Sequence, residues 1–334
     1  MKLFVTGGAG FIGSAFIRYW LKEHPEDLIV NFDKLTYAGN LENLASIEKS
    51  PHYSFVKGDI CDAQAVSKAM DGCDVIVHYA AESHVDRSIN DAAPFIQTNI
   101  VGTDVLLEQA LQYSIKRFHH ISTDEVFGSL ALDGGTFDEN SPYNPRSPYA
   151  ASKAAADHLV RAYYHTYGLP ITISNCSNNY GPYHFPEKMI PLMILNAMNN
   201  KPLPLYGDGL HVRDWIHVLD HARAVDLIVQ QGKIGETYCV SGHAERHNID
   251  VVKEILKQLQ KPESLIQPVK DRPGHDRRYA LDGSKIEHEL GFAPRYTFEK
   301  GLTETIQWYK DNQSWWERVL NHQYEQYYVK QYAQ

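Results

Sequence analysis

Short apolar runs alternate with longer amphipathic stretches through the first half of the chain. KLFVT (2–6), LIVNFD (28–33), YSFVKGD (53–59), DVIVHYA (74–80) and RFHHIS (117–122) concentrate Val, Ile, Phe and Tyr and predict strands. Between them, stretches such as GSAFIRYWLKEH (13–24) and FIQTNIVGTDVLLEQALQ (95–112) space their apolar residues along one helix face. A helix over about 149–167 and a strand PITISN (170–175) extend the series. Such alternation predicts an α/β fold built on a Rossmann-type, doubly wound parallel sheet. The second half breaks the rhythm. Proline-bounded loops (YGPYHFPEKMIP, KPLPLYGDG), short mixed strands and several helices predict a smaller mixed α/β domain at the C-terminal side. The expected division is 1–175 and 176–334, with room for later segments to cross back into the first domain. The aromatic end, WYKDNQSWWERVLNHQYEQYYVK, reads as helix packed on the body or on a partner subunit.

Composition narrows the class without naming the chemistry. With 334 residues, 43% of them hydrophobic and 22% charged, the chain can bury a sizeable core. A net charge of −9 and the lack of any Lys/Arg run argue against a nucleic-acid surface. No stretch has the make-up of a secretory signal, and no apolar run approaches the ~18 residues of a membrane span, so no membrane partner is expected. Cys61, Cys73, Cys176 and Cys239 are scattered without metal-ligand spacing and read as buried thiols, which points to a reducing cytoplasm. His119 and His120 fall in a strand and read as structural. No spacing among the 17 histidines suggests a metal.

Three stretches carry candidate chemistry. In VTGGAGFIG, Gly8, Gly10 and Gly13 satisfy G-x-G-x-x-G, and Gly7, Gly10 and Gly13 satisfy G-x-x-G-x-x-G. Lying between the first strand and first helix, they let a backbone turn approach a pyrophosphate at the helix N-terminus. Asp33, twenty residues past Gly13, would accept from a ribose hydroxyl and repel a 2′-phosphate, so NAD is expected over NADP. Asp59 and Ile60 would lie near the adenine, and AAES (80–83) along the pyrophosphate. The second stretch is SPYAASKAAADHLV (147–160). Ser147 suits an N-cap and Pro148 the first helical turn, which puts Tyr149 and Lys153 on one face. An ammonium close to a phenol is expected to lower its pKa and make phenolate available as a base. The third is ISTDEVFGSL (121–130), where Asp124 and Glu125 follow a strand. They are either a charged turn or an acid and a base aimed at a ligand.

Together the glycine loop, Asp33, Ser122, Thr123 and the Tyr149–Lys153 pair resemble the extended short-chain dehydrogenase/reductase family of nucleotide-sugar enzymes. The likeness runs through the whole chain. DKLTYAGNLENL (33–44), AAESHVDRSI (80–89), HHISTDEVFG (119–128), NCSNNYGPYHFPEKMIP (175–191), VRDWIHVLDHARA (212–224) and DRPGHDRRYALD (271–282) narrow it to the branch that removes water from dTDP-glucose. The resemblance implies tightly bound NAD and a small-molecule nucleotide-sugar, dTDP-glucose, converted to dTDP-4-dehydro-6-deoxyglucose. It implies that Tyr149 deprotonates the 4-hydroxyl with Lys153 beside it and Thr123 holding that hydroxyl. Glu125 would then remove the C5 proton while Asp124 protonates the departing 6-hydroxyl. Two close carboxyls repel as a charged pair, so one can stay protonated as acid while the other acts as base.

The same likeness places the cofactor along Gly7, Gly10, Phe11, Ile12, Gly13, Asp33, Lys34, Leu35, Thr36, Asp59, Ile60, Tyr79, Ala80, Ala81, Glu82, Thr98 with Asn99, Ser122, Tyr149, Lys153 and Asn179. It places the substrate on Ser83, Thr123, Asn178, Asn248, Asp271 and His275, its diphosphate on Lys188, Arg213 and Arg272, and its base and deoxyribose on Met189, Pro204, Leu205 and Tyr206. Two departures stand out. Phe127 occupies a position where the family usually has tyrosine, and the segment 128–149 is short. A homodimer is implied through the helix near 94–112 and the one starting at Tyr149. Val101, Val105 and Leu106 are available for that contact or for packing on the sheet. Other readings are a dehydratase or epimerase of another nucleotide-sugar such as UDP-glucose, and an inactive NAD-binding regulator.

Overall fold

The computed structural model describes residues 1–320. Its strands in chain order are β1 (Lys2–Thr6), β2 (Leu28–Asp33), β3 (Tyr53–Lys57), β4 (Val75–His78), β5 (Arg117–Thr123), β6 (Ile171–Cys176), β7 (Asn178–Tyr180), β8 (Leu203–Tyr206), β9 (Val212–His217), β10 (Thr237–Val240), β11 (Glu245–His247) and β12 (Ile266–Val269). Seven of them make one parallel sheet in the order β10-β6-β5-β4-β1-β2-β3. The chain leaves β1 for β2 on one side and returns to β4 on the other. That reversal opens a crevice at the carboxyl ends of the strands, where ligands sit in doubly wound sheets.

Strand residues alternate between two buried faces. Phe4 joins Val30, Ile76, Phe118, Leu106 and Leu107 on one side. Leu3 and Val5 join Phe16, Ile17, Trp20 and Val225 on the other. Each such side chain contributes roughly 1.5–3 kcal/mol when fully buried, so the sheet is anchored from both faces. Leu106 is thus a core residue, whereas Val101 on the same segment is exposed.

The second body is built on a three-stranded sheet (β11-β9-β7) and the pair β12-β8. Tyr180, Ile194, Trp215, Leu302 and Trp315 lie in its core. The aromatic end starts as helices Phe298–Asp311 and Gln313–Val319, and Trp315 Nε1 donates to Asn43 Oδ1 of the first body (3.0 Å). The remainder of that stretch lies outside the described residues. No described helix is long and apolar enough to cross a membrane.

Two features differ from the simple alternation. The stretch expected as one helix over 95–112 has a π-helical segment, Ile96–Val101, before the α-helix Gly102–Gln112. Asn99 within it is tied by its side chain to Glu82 and Ser152, and Gly102 is pressed so closely on Ile60 that a Cβ would lie 2.5 Å from that side chain. These fixed contacts set the register that the π turn absorbs. The short loop 128–149 is stitched to the late segment: Leu130 N donates to Arg278 O (3.0 Å) and Phe137 N to Ala280 O (2.9 Å). Phe127 is buried there, stacked on Phe137 at 5.1 Å and edge-on to Tyr143.

Candidate active site

The carboxyl ends of the central strands open into a cavity of about 550 Å³ that both bodies line. At one end is the glycine turn. Gly10 precedes the helix Phe11–Glu23 and has no side chain to cap it, leaving the first-turn amides for a ligand. The turn admits nothing larger than glycine. A Cβ on Gly7 (φ +69°) would lie 2.5 Å from the Ala80 nitrogen, and one on Gly13 2.4 Å from the Gly7 carbonyl oxygen. Asp33 Oδ2 accepts from Ala9 N (2.9 Å) and Oδ1 from Leu35 N (2.8 Å), which fixes the carboxylate beside the cradle. Free helix amides next to a fixed carboxylate fit the pyrophosphate and ribose of a dinucleotide.

Phe11, Ile12, Lys34, Thr36, Asp59, Ile60, Tyr79, Ala80, Ala81, Glu82 and Thr98 line the same cavity. Lys34 is held there by Asp59 Oδ2 at 2.7 Å. Two expected contacts, Leu35 and Asn99, do not line the cavity, and two others line it but spend their side chains elsewhere. Leu35 does not line the cavity; it sits in a left-handed turn (φ +56°) and its amide serves Asp33. Asn99 also turns away, with its amide bracketing Glu82 and donating to Ser152 Oγ (2.9 Å). Ser122 lines the cavity, but its hydroxyl donates to Asp157 Oδ2 (2.8 Å). Asn179 likewise spends its side chain inward, donating to Ser177 O (3.0 Å) and bonding His221 Nδ1 (2.9 Å).

β5 ends at Thr123 and a single 3₁₀ turn, Asp124–Phe127, follows. Thr123 caps that turn: its Oγ1 accepts from Glu125 N (3.2 Å) and donates to Asp124 Oδ1 (3.2 Å). The cap brings three consecutive polar side chains to the sheet's carboxyl edge. Asp124 is only 1% exposed, and burial first, then Glu125, holds its pKa well above the ordinary carboxyl value. Burial also raises Glu125, but Arg272, Lys188 and Arg213 oppose that shift. The pair is therefore split, with Asp124 the better proton holder. A raised folded-state pKa means stability that is complete below the ordinary carboxyl range and lost as pH climbs through the raised value. Asp124→Asn should raise the melting temperature by roughly 2–4 °C at pH 8 and leave it nearly unchanged at pH 4, as calorimetry at the two pH values would read.

The helix Pro148–Tyr167 starts at the expected cap, with Ser147 Oγ accepting from Ala150 N (3.1 Å), and ends at Gly168 in the left-handed region. Tyr149 and Lys153 both line the cavity. Burial outweighs the lowering of the Tyr149 pKa expected from Lys153. Burial pushes the phenol well above its usual value, and Glu125 adds to that, while the Thr123 hydroxyl bonds to it and opposes the shift. Lys153 Nζ instead donates to Ile121 O (2.7 Å) and lies 3.3 Å from His120 Nε2.

The second body closes the far end. Lys188 Nζ donates to Ser83 O (2.7 Å), and Arg272 Nη1 donates to Asp86 Oδ1 (3.2 Å). Tyr206 OH donates to Asp86 Oδ2 (3.0 Å). Arg213 donates to Val212 O and Asp276 O and lies 4.2 Å over the Tyr279 ring. Met189, Pro204, Leu205, Asn178, Asn248 and His275 complete the wall. Asp271 does not line it; one carboxylate oxygen is 2.6 Å from His275 Nδ1, and the other 3.3 Å from His211 Nε2. Buried polar atoms on seven lining residues have no protein partner, among them Asp124 Oδ2, Asn178 Oδ1, Asn248 Oδ1 and Arg272 Nε. Such atoms call for a polar ligand. Sequence reasoning missed Asp86, Glu187 and Tyr279 as lining residues. Asp86 lay inside a quoted motif, and an acid in the first turn of a short helix (Val85–Asn90) was its only signal.

Residues 4–305 match the family model described as GDP-mannose 4,6 dehydratase. A dTDP-glucose 4,6-dehydratase of Neisseria meningitidis serogroup B is 55% identical over 345 residues, 97% of either chain. The fold superposes on a crystal structure of a dTDP-glucose 4,6-dehydratase from Streptomyces venezuelae with NAD bound, with a TM-score of 0.93, 49% identity, and coverage of 96% of this chain and 100% of that one. A UDP-glucuronic acid 4-epimerase from Bacillus cereus gives a TM-score of 0.88 at 29% identity, covering 93% and 99%. The chain belongs to the GDP-mannose 4,6 dehydratase family of extended short-chain dehydrogenases/reductases, and within it to the dTDP-glucose 4,6-dehydratases.

Proposed function

We propose that this chain is an NAD-dependent hydro-lyase that converts dTDP-glucose to dTDP-4-dehydro-6-deoxyglucose and water. The observation that carries the reading is the Asp124–Glu125 pair in one cavity with Tyr149 and Lys153. An alcohol dehydrogenase or a 4-epimerase needs a base and a cofactor. Loss of water also needs one group to accept a proton while another donates one, and the split acid pair supplies them.

NAD, when bound, supplies the acceptor that allows oxidation at C4 and the donor that later reduces C6. Tyr149 takes the proton of the 4-hydroxyl, which Thr123 holds in place. A ketone at C4 makes the C5 proton acidic, and Glu125 removes it. Asp124, protonated by virtue of its burial, passes a proton to the leaving 6-hydroxyl. Glu125 then returns its proton to C5. Lys188, Arg213 and Arg272 take the diphosphate, and Met189, Pro204, Leu205 and Tyr206 wall the thymine and deoxyribose. Ser83, Asn178 and His275 face the sugar end. Residues 1–175 serve NAD and 176–334 the nucleotide-sugar, with β10 returning to the first body. The protein works as a cytoplasmic homodimer, and exposed Ile96 (52%) and Val101 on the π segment support a partner contact there.

The test is product analysis. Purified protein is mixed with dTDP-glucose and, separately, with UDP-glucose, and the alkali-sensitive absorbance of a 4-keto sugar is followed. Product from dTDP-glucose is expected. Product from UDP-glucose alone would reassign the substrate, and product from neither, with NAD bound, would overturn the enzyme reading.

A further inference from the structure

We propose that Asp157, which has no place in the chemistry above, is the positioning residue of Lys153: its buried carboxylate, meeting Lys153 across His120 Nε2, makes a row of carboxylate, imidazole and ammonium that keeps the lysine charged beneath the cavity. The inference rests on the assignment of Lys153 to the site. Asp157 lies one helical turn beyond Lys153, so both side chains project from the same side of the helix Pro148–Tyr167. Asp157 and His120 are 0% exposed and Lys153 5%. The two ends meet at one atom. His120 Nε2 is 3.2 Å from Asp157 Oδ1 and 3.3 Å from Lys153 Nζ.

The other carboxylate oxygen is heavily bonded. Ser122 Oγ and Tyr143 OH each donate to Oδ2 at 2.8 Å, and Asn175 Nδ2 lies at 3.5 Å. Arg161 Nη2 donates to the Tyr143 hydroxyl (2.8 Å), bringing a second cation behind the carboxylate. A carboxylate this buried is retained only where charges and donors compensate it. Here they do, and Asp157 stays below the ordinary carboxyl range despite its burial. His120 Nδ1 and Asp157 Oδ1 both lack a hydrogen-bond partner, so the carboxylate acts on the lysine by its charge across the ring edge and not through a hydrogen-bonded relay. His78 lies tilted against the His120 ring at a centroid distance of 5.2 Å, and Cys176 faces Lys153 from β6. Neither supplies a fixed negative charge. Burial pulls the lysine to about 8, and Asp157 is the first group opposing that pull. Removing the carboxylate charge should therefore let the ammonium lose its proton at lower pH.

The experiment uses the full-length holoenzyme with ¹⁵N-labelled lysine, the Lys153 side-chain resonance being identified by its loss in Lys153→Met. In Asp157→Asn the Lys153 midpoint should fall by about one pH unit, and in Asp157→Glu it should stay near the wild-type value. The alkaline limb of kcat/KM should shift acidward with it, so that activity at pH 8 drops about fivefold while activity at pH 6 changes less than about threefold. An unmoved midpoint with a uniform loss at every pH would overturn the proposal and leave Asp157 merely structural. If Asp157→Asn does not fold, Tyr143→Phe decides. It strips one donor from the carboxylate, so the Lys153 midpoint should rise by ~0.3 unit; no rise overturns the proposal. Because the titration reads the lysine and not turnover, inactivity toward dTDP-glucose would count against the function and not against this row.

Discussion

Replacing Glu125 by Gln stops dehydration and leaves the first oxidation running. The variant mixed with dTDP-glucose is expected to accumulate reduced cofactor on the enzyme, with overall turnover down by about 10²–10⁴-fold. The reason is positional. Glu125 stands just past the end of β5 with three cations, Arg272, Lys188 and Arg213, opposing the rise that burial imposes on its pKa. Glutamine keeps the shape of the turn and the Glu125 N to Thr123 Oγ1 bond, because that bond is made by the backbone. Only the proton acceptor is gone. The readout is the near-ultraviolet absorbance of the reduced nicotinamide followed alongside keto-sugar formation. Full turnover by the variant would show that Glu125 is not the C5 base.

Tyr149→Phe is expected to fail one step earlier. With no phenol the 4-hydroxyl keeps its proton, C4 is not oxidised, and neither reduced cofactor nor product appears, a loss of about 10³-fold or more. The fold should tolerate the change. The Tyr149 amide still donates to Ser88 Oγ (3.2 Å), and the ring still meets Phe95 edge-on at 6.3 Å. A normal melting temperature with no cofactor reduction is therefore the expected pair of results. Accumulation of reduced cofactor in this variant would sink the role given to the phenol.

Much of this was legible in the chain because it is written locally. Strands such as β1 and β4 are continuous apolar runs, since helices cover both of their faces. The glycine turn is legible because a Cβ at Gly7 or Gly13 would collide with backbone. The acid pair shows because carboxylates are seldom fully buried without a partner and because the motifs around it favour an acid and a base over a charged turn. What stayed hidden depends on partners distant in sequence. Nothing local shows that the Ser122 hydroxyl belongs to Asp157, or that Asn99 is tied to Glu82 and forces a π turn into a helix that reads as regular. The raised Tyr149 pKa also escapes a local reading, because Y-x-x-x-K spacing puts Lys153 on the same face but does not show how deeply the phenol is buried. β10 is four residues of TYCV, and no local pattern says which sheet will take it.

That last strand has a consequence for how the molecule is made. β10 pairs Thr237–Val240 with the outer edge of β6. On the ribosome, the nucleotide-binding sheet therefore keeps an open row of peptide groups along β6 until residue 240 has emerged, after β7, β8 and β9 of the other body have been synthesised. The sheets of the second body are completed later still, when β11 and β12 have followed. Parallel pairing at such long range is slow, and the unfinished edge is the point where two nascent chains would stick to each other.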